Sequence, residues 1–224
     1  FASKTVLKKG IHRKLELLGL EERVVPATFT VVNNSDSGVG SLRQAIIDAN
    51  ATSANDTINF SVVNSPYTIN LGSALPNIVS TSSAGTLTIN GLGASSLTID
   101  ANQGSFSIFT INSGGNLTIS GVTVTGANIT GNGGAFNNSG ILTISNSILS
   151  GNSGDSGGAI YSGNVSTLTV NNSTISGNLA NNGGGIFNAS TLTLTVNNST
   201  ISSNIANDAG GGIFFDRTGT FTVT

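Results

Sequence analysis

The alternation of hydrophobic and polar residues recurs with a nearly constant period in the C-terminal half of this chain. Leu168 to Phe187 returns almost unchanged as Leu194 to Phe214, and weaker copies start at Leu117 and Leu142. The starts are 25, 26 and 26 residues apart, and the next copy begins 27 residues further on, at Phe221. A period of this length predicts a solenoid, in which each repeat buries its apolar face against the repeats above and below it.

Each repeat contains three short runs with the alternation of a β-strand, separated by corners rich in Asn and Gly. In one copy these runs are 168–170, 173–176 and 185–187. Alternation at period two points Leu168 inward and Thr169 outward. Equivalent residues of the copies then form three interior columns. The first holds Leu117, Ile119, Leu142, Ile144, Leu168, Val170, Leu194, Val196, Phe221 and Val223, the second Val124, Leu149, Ile175 and Ile201, and the third Ala135, Ile160, Ile186 and Ile213.

Three short strands per coil, a period of about 26 and no helical pattern between the strands predict an all-β parallel β-helix, or β-solenoid. Roughly eight coils about 4.8 Å apart would form a rod of about 40 Å. The aligned corners predict ladders of hydrogen-bonded side-chain amides. The aligned asparagines are Asn146, Asn172 and Asn198, and Asn152, Asn178 and Asn204. An antiparallel sandwich is the alternative fold, although these repeats lack the hairpin dipeptides typical of it.

The chain divides into three segments. Residues 1–27 form an amphipathic basic segment with a predicted helical face, which either packs on the solenoid end or a neighbouring molecule, or acts as a targeting or membrane-surface segment. Residues 28–60 are interpreted as an N-terminal capping module with a short helix. Residues 61–224 are interpreted as the parallel β-helix repeats.

The helix of the capping module is predicted by its periodicity and its ends. Ser41 is a suitable N-cap residue, and Asn50 a suitable C-terminal stop. The apolar residues that share one predicted helical face are Leu42, Ala45, Ile46 and Ala49. Such a helix would cover the apolar interior and the unpaired strand edges that a terminal coil exposes.

The composition narrows the possible functions. Charged residues make up 8% of the chain, cysteine is absent, and the formal net charge is −2. Beyond residue 24 the only Lys or Arg residues are Arg43 and Arg217, too few to neutralise a nucleic-acid backbone. No apolar stretch reaches the roughly 20 residues of a membrane span. The hydrophobic share of 37%, regularly spaced, predicts a folded rather than a disordered repeat region.

Residues 154–158 spell Gly-Asp-Ser-Gly-Gly, the motif around the nucleophile of trypsin-like proteases. Their alignment with residues 180–184 of the next repeat makes them a variant corner. The one histidine of the chain, His12, lies in the N-terminal segment, so we expect no base to activate the serine.

The acidic residues beyond the N-terminal segment are sparse and scattered. Asp155 and Asp208 are predicted to lie two coils apart, near 10 Å by coil spacing, with Asn181 between them. Asp216 and Arg217 are interpreted as a solvated pair. No run matches the calcium-binding nonapeptide of β-helices, and neither a catalytic carboxylate pair nor a metal site is expected.

Outward-facing threonines are aligned between repeats. The triplets 167–169, 193–195 and 220–222 resemble the threonine arrays of ice-binding β-helices, although Asn116 and Ile141 interrupt one column. Threonine also favours strands for its own sake, and an ice-recrystallisation assay would separate the two explanations.

Several Asn-x-Ser/Thr sequons occur, for example at Asn128, Asn171 and Asn197. Asparagine corners followed by Ser/Thr strands produce this pattern without any glycan, so we interpret most of the sequons as architectural. A measurement of intact mass would test this interpretation.

Residues 147–161 resemble the repeats of polymorphic outer-membrane proteins and related autotransporter-like bacterial surface proteins, whose GGAI signature is matched by residues 157–160. Residues 40–50, with the DTINF run that follows, are similar to the CSLREA domain at the start of such β-helices. Gly40 stands in place of the cysteine of that domain, and Gln44 in place of its glutamate.

Residues 15–28 are similar to the N-terminal leader of large bacterial surface proteins. Together these resemblances cover most of the chain. They imply a right-handed β-helix that is secreted or exposed on the cell surface, and the family brings no agreed catalytic residues.

We therefore expect a non-catalytic structural or adhesive β-solenoid, extracellular or on the cell surface, without catalytic, cofactor-binding or metal-binding residues. Residues 220–224 repeat the first strand of a coil, so we expect an open end that is either continued in a longer protein or stacked head to tail on another copy. The expected partners are other copies, other surface proteins or glycans, but not nucleic acid. The alternative function is a polysaccharide-binding or polysaccharide-degrading module.

Overall fold

The computed structural model describes residues 25–62, 66–79, 85–163 and 165–224. The segment predicted at residues 1–27, with His12, lies outside these ranges as far as residue 24. Within them the chain forms one helix and a series of short strands. The helix is α1 (Leu42–Asn50), and the strands are β1 (Thr28–Val31), β2 (Asp56–Phe60), β3 (Tyr67–Asn70), β4 (Leu87–Asn90), β5 (Leu97–Asp100), β6 (Phe109–Ile111), β7 (Asn116–Ser120), β8 (Thr123–Thr125), β9 (Phe136–Asn138), β10 (Ile141–Ser145), β11 (Ile148–Ser150), β12 (Ser153–Ser156), β13 (Ile160–Ser162), β14 (Thr167–Asn171), β15 (Thr174–Ser176), β16 (Leu179–Asn182), β17 (Ile186–Asn188), β18 (Thr193–Asn197), β19 (Thr200–Ser202), β20 (Ile205–Ala209), β21 (Ile213–Phe215) and β22 (Thr220–Val223).

These strands form four parallel sheets, in which each strand pairs with its equivalents one coil away. Sheet A has the order β1, β2, β4, β7, β10, β14, β18, β22, sheet B the order β3, β5, β8, β11, β15, β19, sheet C the order β6, β9, β13, β17, β21, and sheet D the order β12, β16, β20. The eight strands of sheet A correspond to about seven turns. The predicted parallel β-solenoid is therefore confirmed.

From β4 to β21 each coil contains the three predicted strands, and three of these coils carry a fourth. The additional strands β12, β16 and β20 form sheet D, at the position where the sequence analysis predicts a corner. Two of these strands, with the sequences SGDS and LANN, contain no β-branched residue. The third, IANDA, contains one. Stacking on neighbouring coils, rather than intrinsic strand propensity, holds these segments extended.

The first two interior columns are confirmed. Leu117, Leu142, Leu168 and Leu194 pair in register along sheet A and are fully buried. The column Val124, Leu149, Ile175 and Ile201 follows sheet B in the same way. Neighbouring coils thus bury the apolar face that a single coil would expose.

The third column is predicted wrongly at one position. Ile160 pairs with Phe136, not with Ala135. Ala135 instead donates its backbone N–H to Ala159, at 3.0 Å, because the Gly-Gly-Ala corners of the two coils lie one over the other. Phe136 fills the interior by stacking on Phe109, with ring centroids 5.0 Å apart.

One of the two predicted asparagine ladders forms. The side-chain Nδ2 of Asn152 donates to Oδ1 of Asn178 at 3.1 Å, and Nδ2 of Asn178 donates to Oδ1 of Asn204 at 2.9 Å. Asn152 and Asn178 are buried, so the ladder runs inside the corner between sheets B and D.

The other predicted ladder is wrong. Asn146, Asn172 and Asn198 have φ values of 50°, 47° and 46° and serve as left-handed corner residues. Asparagine tolerates this conformation better than most residues with a Cβ. A ladder that the sequence analysis did not predict lies on the outward side of sheet A, where Nδ2 of Asn197 donates to Oδ1 of Asn171 at 2.9 Å.

The predicted capping helix is confirmed in its start and in its buried face. Oγ of Ser41 accepts the N–H of Gln44 at 3.2 Å, as an N-cap does. The four predicted apolar residues are all buried, and α1 packs against β1 and β2. The helix ends one residue later than predicted, with Ala51 rather than Asn50 as the C-cap. Gly40, which precedes the N-cap, has a φ of 78°, and a Cβ there would lie 2.6 Å from Val32, so a cysteine would not fit this backbone.

Arg43 joins the cap to the first coils. Its guanidinium donates to Oδ1 of Asp36 at 2.6 Å, to the backbone oxygens of Asp36 and Ser73 at 3.0 and 2.9 Å, and to that of Ala74. The side chain is 15% exposed. One residue thus connects α1 to a loop before it and a loop after it.

We expect Arg43→Ala to lower the free energy of unfolding by about 2 kcal/mol, because hydrogen bonds to a charged group contribute more than neutral ones. Urea unfolding measures this change, and amide exchange should quicken in α1. Arg217→Ala is the control, since Arg217 makes no ion pair in the part of the chain that the structure describes. Equal effects of the two substitutions would contradict the role of Arg43.

Tyr67 carries a buried hydroxyl group that has no hydrogen-bond partner among the residues that the structure describes. Burial raises the pKa of the Tyr67 phenol above its ordinary value of 10.0. The folded state therefore favours the neutral phenol, and the stability that this group contributes is complete below pH 10.0 and is lost as pH rises through the folded-state pKa.

Tyr67→Phe should leave stability at neutral pH unchanged or slightly higher, because it removes a polar atom without a partner. It should also flatten the fall of melting temperature above pH 10.0. Thermal unfolding at several pH values tests both effects, with Tyr161→Phe as the control. A loss of stability at neutral pH would show that the hydroxyl group has a partner in solution.

Candidate functional site

The outward side of sheet A carries an uninterrupted column of threonines along the whole solenoid. Each threonine pairs in register with the next, and the predicted alignment of Thr169, Thr195 and Thr222 is confirmed as its C-terminal part. The eight residues are Thr28, Thr57, Thr88, Thr118, Thr143, Thr169, Thr195 and Thr222. None of their hydroxyl groups has a hydrogen-bond partner within the described ranges, so all eight are free to bind a ligand.

The columns that flank these threonines are uncharged and, apart from Ile141, polar. On one side, amides and hydroxyls bond to each other between coils, as where Nδ2 of Asn90 donates to Oδ1 of Asn59 at 3.1 Å. On the other side, Nδ2 of Asn116 donates to Oγ1 of Thr86 at 2.9 Å, and Ile141 occupies the next position. The outward face of sheet A is thus a repetitive array of neutral hydrogen-bonding groups.

A groove of about 320 Å³ runs beside this face, at the corner between sheets C and A. Its walls come from four successive coils, with Ser113, Ile141, Val165 and Leu192 among the lining residues. The three apolar side chains are 46%, 68% and 41% exposed. The sequence analysis did not predict the groove, because Val165 and Leu192 lie outside the strands and Ile141 is an isolated apolar residue in an outward column of sheet A.

A second cavity, beside α1, has a volume of only about 20 Å³. It lies against Asp56, a buried residue that takes the inward position occupied by Leu87 in the next coil. Oδ1 of Asp56 accepts the N–H of Ala27 at 2.7 Å, and the Thr52 hydroxyl donates to Oδ2. The space holds about one water molecule, and both carboxylate oxygens are hydrogen-bonded within the cap.

The trypsin-like motif is a variant of the equivalent segment of the next coil, as predicted, but its first three residues lie in strand β12 rather than in a corner. Gly154 pairs with Ala180 and Ser156 with Asn182 in sheet D. Asp155 lies on the exposed side, where its Oδ1 accepts Nδ2 of Asn181 at 3.3 Å. Within the described residues no histidine stands near Ser156.

The prediction that Asp208 lies next to Asn181 in the last coil is wrong. Asn207, not Asp208, donates to Oδ1 of Asn181, at 3.0 Å. The register of β20 shifts between its pairings with Ala180 and Asn182, which leaves Asp208 as an extra residue in a bulge. The extra residue in this bulge explains why the last spacing is 27 residues rather than 26. Asp155 and Asp208 do not form a carboxylate pair across a shared site.

The structure also places the predicted Asp216–Arg217 pair and the sequon asparagines. Asp216 and Arg217 do not form an ion pair in the described chain, where Arg43 and Asp36 do. Asn171 and Asn197 belong to the outward amide ladder of sheet A, while Asn128 is exposed and bridges to Ser153. No group of three or more His, Cys, Asp or Glu residues suited to a metal ion occurs in the described residues.

Fold and surfaces define this chain as a parallel β-solenoid with a helical N-terminal cap. No protein-family model, curated protein sequence or solved structure matches it. In the ranges that the structure covers, no helix has the length and hydropathy needed to cross a bilayer. Proposals about function therefore rest on the geometry of the chain's own residues.

Proposed function

We propose that this chain is a non-catalytic structural or adhesive β-solenoid of an extracellular or cell-surface protein, and that it associates head to tail with further copies. The observation that carries the proposal is the in-register stack itself. Identical or similar residues lie over each other from coil to coil, and the repeated Leu and Asn columns hold the coils together.

The last coil supports association at one end. Among the described strands, β19, β20, β21 and β22 each pair on one side only. Phe221 and Val223 are 44% and 63% exposed, whereas their neighbours Leu194 and Val196 are almost fully buried. Unpaired strand edges beside exposed apolar side chains readily accept another strand.

The first coil offers a matching edge. β1 has no partner on its outer side among the described strands, and its sequence, Thr-Phe-Thr-Val, is the same as that of β22. Pairing β22 of one copy with β1 of the next keeps threonines outward and Phe and Val inward. Because α1 packs against β1 and β2, this contact is confined to sheet A.

Static light scattering and electron microscopy over a wide range of concentrations test the association. We expect the average mass of the wild-type chain to rise with concentration, and Val223→Lys to suppress the rise by placing a charge on the open edge. Val165→Lys is the matched control, because Val165 is 68% exposed but lies on a lateral surface. A monomer at every concentration, or equal behaviour of the two variants, would refute head-to-tail association.

A further inference from the structure

We propose that the outward face of sheet A, together with the groove at its corner, binds a neutral, linear, β-linked polysaccharide lying along the solenoid axis. This surface is lateral, so the proposal does not depend on contacts at the ends of the solenoid. Three properties of the surface carry it: repeated free hydroxyl groups, an apolar groove and the absence of charge.

The threonine column supplies the repeated hydroxyl groups. Successive residues such as Thr118, Thr143 and Thr169 stand one coil apart, about 4.8 Å. This rise is close to the length that one β-linked hexose adds to an extended glycan chain. Each sugar ring along the axis would therefore lie beside one threonine hydroxyl group, and many weak contacts would add up.

The groove supplies the apolar contact that a flat hydroxyl array lacks. Its volume of about 320 Å³ lies at the lower end of the range of ligand sites, roughly 300 to 1,000 Å³. Ile141, Val165 and Leu192 succeed each other along the axis. The C–H faces of pyranose rings bury apolar surface against such side chains, while their hydroxyl groups reach Thr167 and the threonine column.

The absence of charged residues on this face favours a neutral polymer. No charged residue stands in the three outward columns of sheet A, and the described part of the chain has two cations, Arg43 and Arg217. An acidic polysaccharide would require basic partners that this face does not offer. Ordered ice is the other repetitive, neutral ligand that a threonine array could bind. Ice binding requires a flat protein surface, which the groove and the exposed Ile141 interrupt.

Retention of the full chain on insoluble cellulose, chitin and β-1,3-glucan at high salt tests the proposal. We expect retention on at least one of these polymers, and about a tenfold weaker affinity for Ile141→Lys. Ile148→Lys is the matched control, because Ile148 points outward from sheet B in the same coil. Thermal unfolding verifies that both variants fold.

A second pair of variants addresses the hydroxyl groups alone. Thr143→Val keeps the shape of the side chain and should weaken retention, whereas Thr143→Ser should restore most of it. Thr174→Val, on sheet B, should have no effect. The absence of retention on every neutral polymer, equal retention of the Ile141 and Ile148 variants, binding only to acidic polymers at low salt, or inhibition of ice recrystallisation without retention would each overturn the proposal. The mass measurements described above are independent of these results.

Discussion

Replacing Asn178 by alanine is expected to lower the free energy of unfolding by about 3 to 5 kcal/mol, because several buried groups lose their partners together. Asn178 is fully buried, and its Nδ2 donates to Leu149 O at 3.0 Å, to Ser176 O at 3.2 Å and to Asn204 Oδ1 at 2.9 Å. Its Oδ1 accepts both the backbone N–H and Nδ2 of Asn152. Alanine offers none of these contacts, and the tight stacking of coils leaves little room for replacement by water.

Urea unfolding followed by circular dichroism measures the loss. Asn181→Ala, three residues along the same coil, is the control, because Asn181 also stacks between coils but on the exposed side. Water replaces exposed amide contacts at little cost, so we expect a change below about 1 kcal/mol there. If both substitutions cost the same, the buried ladder is not a main source of stability.

Gly184→Ala is expected to destabilise the fold by about 3 kcal/mol or to prevent folding, because a Cβ at this position collides with backbone atoms of the next coil. The added Cβ would lie 2.4 Å from Ile205 O and 2.6 Å from Gly211 O. A Cβ added at Gly158 would likewise lie 2.4 Å from Gly184 O. Glycine therefore recurs where the backbones of successive coils approach closely. Relief would require the coils to separate, which breaks the adjacent hydrogen bonds.

Gly177→Ala separates this collision from backbone strain. Gly177 has a φ of 65°, and nothing lies within 4 Å of an added Cβ. Alanine there should cost only the strain of the left-handed conformation, about 1 kcal/mol. The difference between the two melting temperatures measures the collision, and a Gly184→Ala chain as stable as the Gly177→Ala chain would contradict it.

Much of the fold follows from the sequence because the repeats are nearly identical. Leu168 and Leu194 occupy the same place in adjacent copies, so aligning the copies also gives the register of sheet A. The capping helix is equally predictable, since Ser41 and the spacing of Leu42, Ala45 and Ile46 are local signals. The wrong register at Ala135 is not a limit of the sequence, because residues 133–135 and 157–159 are both Gly-Gly-Ala and their alignment places Phe136 over Ile160.

Other features depend on contacts that no local pattern contains. Asn146 aligns as well as Asn152 does, but its left-handed φ of 50° makes it a corner residue rather than a rung of a ladder. Arg43 bonds to the backbone oxygens of residues 73 and 74, about thirty positions away and without distinctive side chains. The groove likewise combines residues of four coils, so only the assembled solenoid creates the candidate binding surface.

The bulge at Asp208 has a consequence for how such a protein can evolve. One wall takes up an added residue while sheets A, B and C keep their in-register pairing with the preceding coil. Units of unequal length therefore fit the same column, and duplication or loss of a whole unit leaves the remainder undisturbed. Gene slippage within the near-identical copies can lengthen or shorten the rod without any change to its cross-section.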